Sequence, residues 1–100
     1  MTTTATPLTP LELAQQRVHL AHAALDAAAR ELSDFKLEQM AWSENGMVYK
    51  MPPDWNAEVS ERIRQHHRGL EKAVQQKLEL FHAALRGHAY EKYRGYGEHL

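Results

Sequence analysis

The sequence predicts an all-α protein: a long antiparallel helical hairpin, with helices at about 10–44 and 54–86, that dimerises into a four-helix bundle. Three observations carry this expectation. Apolar residues recur at spacings of three and four on both sides of the chain's middle, a helix-start signature precedes the first run, and the turn-rich stretch lies between the runs.

Composition narrows the classes. A chain of 100 residues buries only a thin core, which favours oligomerisation. Apolar residues at 43% and charged residues at 25% suit a globular domain and exclude a disordered one. No apolar run approaches the roughly 20 residues that cross a bilayer. Twelve Lys and Arg against thirteen Asp and Glu leave no global field for nucleic acid or anionic lipid. The absence of cysteine removes disulfides and thiolate chemistry, and a cytoplasmic location is expected. The opening "MTTTATPLTP" lacks the charge and apolar core of a secretory signal. Residues 1–8 are expected to be a flexible arm and 9–100 a single domain, with a connector at 46–53 and a short tail at 88–100.

The first helix starts at "TPLE". Thr9 offers a capping hydroxyl, Pro10 fits the first helical position, and Glu12 can reach back to the Thr9 amide. Leu11, Ala14, Val18, Ala21, Leu25, Ala28, Leu32 and Phe35 then form a heptad seam. Alanines seven residues apart let a second backbone come close, a packing mode that resembles the antiparallel Ala-rich coiled coil. A second set, Leu13, Leu20, Ala24 and Ala27, projects about a quarter turn away and widens the apolar face beyond what one partner helix covers.

The second helix carries Val59, Ile63, His67, Leu70, Val74, Leu78, Phe81, Leu85 and His88 as one stripe. Its elevenfold spacings match a straight helix. Gly69 is a weak point, and Gly87 either ends the helix or marks a bend before an extension to about 94.

Between them, "MAWSENGMVYKMPPDW" holds both tryptophans and three of the four methionines. Asn45-Gly46 between apolar flanks signals a type I′ hairpin that would pair Trp42 with Tyr49. An isolated two-stranded hairpin is marginal, so the reading favoured here makes Gly46 a left-handed helix cap, followed by an extended crossing and a restart with Asp54 as N-cap. Trp42, Met47, Tyr49, Met51 and Trp55 are expected to gather at one end, either as a plug or as a partner-binding surface.

Other constellations are weaker. Arg64, Arg68 and Lys72 line up as a basic ridge that could follow phosphates, although Glu61 and Glu71 interleave with it. Tyr90, Tyr93 and Tyr96 alternate with Lys92 and Arg94 in the tail. His67 and His88 lie in the apolar stripe, as satisfied core histidines or as a pH-sensitive interface. His19 with His22, and Glu79 with His82, have metal-ligand spacings, but Glu79 points away from the stripe, and no metal or other cofactor is expected. No nucleophile elbow, phosphate loop or HExxH motif is present, so no catalytic residue is expected. The functional expectation is a non-enzymatic protein–protein interaction module of the regulator, adaptor, chaperone or inhibitor type. It would be a homodimer with another protein as partner and no membrane association. Nucleic-acid binding through the ridge and a metal-dependent bundle enzyme are the alternatives.

Overall fold

The structure, a computed structural model, describes residues 7–97. Helix α1 spans Pro10–Gln39, strands β1 and β2 span Met40–Ser43 and Gly46–Tyr49, and helix α2 spans Ala57–Gly97. The helices form the expected antiparallel hairpin.

Local chemistry sets the start of α1. The Thr9 hydroxyl accepts from the Glu12 amide at 3.1 Å, and the Glu12 carboxylate accepts from the Thr9 amide at 3.2 Å. Both orphan donors are thereby satisfied, and Pro10 takes a position where its missing N–H costs nothing.

The far end differs from the expectation. α1 stops at Gln39 rather than near 44, because Met40 turns to extended geometry and opens a β-hairpin. Gly46 has φ of 101°, the left-handed conformation expected of it, but it closes this hairpin and does not cap a helix. No other described residue has positive φ, so the turn is not type I′, which needs two such residues. Ser43 closes the turn, with its hydroxyl donating to the Gly46 carbonyl at 2.9 Å and accepting from the Asn45 amide at 3.2 Å. The register pairs Trp42 with Met47 and Met40 with Tyr49, rather than Trp42 with Tyr49. The hairpin persists because Met40, Met47 and Tyr49 lie against the helices, which supply the second layer that an isolated hairpin lacks.

The start of α2 is also shifted. Pro52 accepts from the Trp55 amide at 3.0 Å in a turn, and Asn56, not Asp54, is the cap. Its side-chain oxygen accepts from the Val59 amide at 2.9 Å. At the other end α2 runs past Gly87 to Gly97, so the segment taken as a tail from residue 88 is helical as far as it is described. A Cβ at Gly69 or Gly87 would meet nothing within 4 Å, so neither glycine answers to crowding within the chain.

The two apolar seams face each other, but the core they make is thin. Among the described hydrophobic residues only Ala14, Phe35 and Leu70 are buried. Leu11, Val18, Ala21, Leu25, Ala28 and Leu32 on α1 are half-buried, as are Val59, Ile63, Val74, Leu78 and Phe81 on α2, and Leu85 is exposed. The second apolar set of α1 lies outside the seam, with Leu13 and Leu20 exposed. Phe35→Ala is therefore expected to lower unfolding stability by about 3 kcal/mol. The nearby exposed Leu37→Ala should change it by less than about 0.5 kcal/mol. Urea titration followed by circular dichroism checks both.

Candidate interaction surface

The β-hairpin is locked to the helices through one imidazole. The Tyr49 hydroxyl lies 2.7 Å from Nδ1 of His67. On the other side of the ring, Nε2 lies 2.7 Å from a Glu71 carboxylate oxygen, close enough for an ion pair when the ring is protonated but without hydrogen-bond alignment. The neutral tautomer that suits both contacts carries its proton on Nε2 and accepts the Tyr49 O–H at Nδ1. The Phe35 ring stacks on this imidazole with centroids 5.1 Å apart, and Tyr49 meets it edge-on at 5.7 Å. Phe35 also packs edge-to-face on His66 at 5.2 Å.

A second clamp holds the hairpin's base. The Lys50 amide donates to the Gln39 carbonyl at 2.7 Å, and its ammonium donates to the Leu37 carbonyl at 3.3 Å, satisfying acceptors at the end of α1. Backbone pairing, the ring cluster around Phe35 and this lysine together hold the hairpin on the helices.

The five connector residues do not form one plug. Met47 faces a groove shared with Leu32, Lys36, Met40, His67 and Val74, and Tyr49 is half-buried on His67. Trp55 is half-buried after the Pro52 turn. Trp42 is 80% exposed and Met51 74% exposed, with Val48 also open to solvent. The hairpin thus displays an indole to solvent, and the segment that leaves it displays the Met51 thioether. Sequence reasoning found these residues but missed the anchor, because Tyr49 and His67 are eighteen positions apart and nothing local links them.

Arg64 and Arg68 of the basic ridge are brought beside Tyr49, where both share a shallow groove with Glu61. Glu61 pairs with Arg68 at 3.2 Å, so the ridge carries its own counter-charge, and Lys72 does not line this groove. His88 sits half-buried in a shallow apolar groove with Val18, His19 and Leu85. His22 packs against Phe81 at 5.4 Å, and Glu79 accepts from the Gln75 amide group at 3.4 Å. Among the described residues no three His, Cys, Asp or Glu side chains converge as a metal site would need. Tyr96 falls where no side chain is described.

The opposite face of the helical hairpin holds a feature that sequence reasoning passed over. Glu31, Asp34 and Glu38 of α1 border a groove with Asp54, Arg62 and His66 over a floor of Phe35, Val59, Ile63 and Leu70. The signal lay in their spacing, which continues the Leu13, Leu20, Ala24 and Ala27 set along α1.

Comparison with protein-family models, curated proteins and solved structures gave no match. No helix among the described residues is long and apolar enough to cross a membrane.

Tyr49→Phe keeps the ring and removes the hydroxyl, and is expected to cost about 1 kcal/mol of stability. The cost should vanish on a His67→Phe background, giving a coupling energy of similar size in a double-mutant cycle by urea titration.

Proposed function

We propose that this chain is a non-enzymatic protein-binding module that acts as a homodimer of helical hairpins and uses its β-hairpin as the recognition element. The observation that carries this reading is the contrast within the connector. Its anchoring residues are packed and hydrogen-bonded, whereas Trp42 and Met51 are almost fully solvated. Exposed tryptophan on a hydrogen-bonded hairpin suits recognition, since it gives a large contact area for little loss of side-chain freedom. Methionine adds a polarizable, adaptable surface beside it.

The chemistry near the hairpin supports binding over catalysis. Both nitrogens of His67 face groups of the chain itself, Tyr49 on one side and Glu71 on the other, so neither is offered to a substrate or a metal. The Arg68–Glu61 pair likewise favours a protein partner with mixed charges over a phosphate backbone.

Wild-type protein and a Trp42→Ser/Met51→Ser variant, each immobilised in extract of the native host, test this reading through mass spectrometry of the captured proteins. The variant should keep the wild-type melting temperature to within a few degrees, because both side chains are solvated. A protein captured by the wild type and lost from the variant is the expected result. Identical capture by both chains would rule out the hairpin as the recognition element.

A further inference from the structure

We propose that the homodimer forms through the helical face opposite the β-hairpin, about a two-fold axis parallel to the helices, so that both β-hairpins lie at the same end of a four-helix bundle. This rests on the homodimer reading above and specifies its interface and symmetry.

Two stripes define the face. At 100° per residue, Leu20, Ala24, Glu31 and Glu38 fall within about 20° of Leu13 on α1. On α2, Gly69, Ala73, Leu80 and Gly87 fall within about 20° of Arg62. The fold turns both stripes to one side. Leu13 shares a groove with Ala83, Ala84 and Gly87, and Glu31, Asp34 and Glu38 share one with Arg62 and His66. The β-hairpin covers the other side, around Leu32, Lys36, His67 and Val74.

One end of the face carries Leu13 and Gly87 with Arg17 and Glu91 beside them, and the other end is mainly acidic. Leu20 is 64% exposed and Leu80 58% exposed. Among the described residues Glu31, Asp34, Glu38 and Arg62 form no ion pair or side-chain hydrogen bond. Gly69 and Gly87 add helix-weakening residues with open space above them, which a second backbone can approach closely.

A second copy fits this pattern about an axis parallel to the helices. Within the chain Phe35 lies level with His66, and His22 level with Phe81, which fixes the heights along the two helices. An axis parallel to the helices lays α1 on the partner's α2 at equal height. Leu20 then meets the partner's Leu80 and Leu13 meets the partner's Gly87, while Asp34 and Glu38 approach the partner's His66 and the partner's Arg62.

Among the described hydrophobic residues only Ala14, Phe35 and Leu70 are buried, and a second copy on this face would add the layer that this thin core lacks.

Sedimentation equilibrium and one spin-label distance test the proposal. Wild-type protein should sediment as a dimer. Leu20→Asp, at a solvated position where folding is unaffected by circular dichroism, should sediment as a monomer, whereas the hairpin change Trp42→Ser should remain dimeric. Arg62→Glu alone and Asp34→Lys/Glu38→Lys alone should each weaken the dimer, and an equimolar mixture of the two should restore it as a heterodimer. The chain has no cysteine, so Ala57→Cys gives one nitroxide per copy. Labels at the same end lie within about 30 Å across the bundle, and labels at opposite ends lie about 60 Å apart along it. A wild-type monomer would overturn the homodimer reading itself. A dimer that survives Leu20→Asp, or that shows the long distance, would overturn only the face and axis assigned here.

Discussion

The stack of Phe35, His67 and Tyr49 joins the three parts of this molecule. Phe35 comes from α1, His67 from α2 and Tyr49 from β2, so one imidazole ties the helices to each other and the β-hairpin to both. Ring contacts of this kind contribute about 0.5–1.5 kcal/mol beyond the area they bury. Their weight here is large because few residues share the task, with Ala14, Phe35 and Leu70 the only buried hydrophobic residues described. The imidazole also suits the position chemically. An aliphatic residue could fill the space but could not accept the Tyr49 hydroxyl, and a half-buried phenol without a partner is costly.

From that anchor follows the division of the exposed apolar surface into two populations. One is on the β-hairpin and its exit, where Trp42, Val48 and Met51 project to solvent. The other runs along the helices on the opposite side, where Leu13, Leu20 and Leu80 lie in register with small residues and unpaired charges. A single helical pair cannot cover both faces of its own seam. The elongation of the chain states the same constraint, with a radius of gyration of 21.2 Å against about 13 Å for a compact domain of this length. The proposed assembly uses one of these faces and the proposed recognition the other.

The grooves beside the helices carry charge in a way that composition hides. A net charge of −1 suggests an indifferent surface. Folding sorts that charge, gathering Glu31, Asp34, Glu38 and Asp54 around one groove and Arg64 and Arg68 around another. The first cluster lacks counter-charges of its own apart from Arg62 and His66, and the second holds Glu61 within reach. What a partner meets is set by that sorting rather than by the total.

Periodicity and capping chemistry are local, and so the sequence by itself determined the two helices, the seams that face each other and the start at Thr9. The excess apolar face along Leu13, Leu20 and Ala24 was legible for the same reason, since a helix shows its faces in the spacing of its residues. The connector was not legible, although both candidate structures were visible there. A helix cap at Gly46 and a hairpin through Gly46 satisfy the same turn chemistry, and a left-handed glycine serves either. Only the tertiary structure decided between them, because Tyr49 is held by His67 of α2, eighteen positions away, and Met40 and Met47 border a groove with His67 and Val74. The Asn56 cap, by contrast, is a local hydrogen bond to the Val59 amide, and Gly87 lies inside α2 with nothing within 4 Å of the Cβ it lacks.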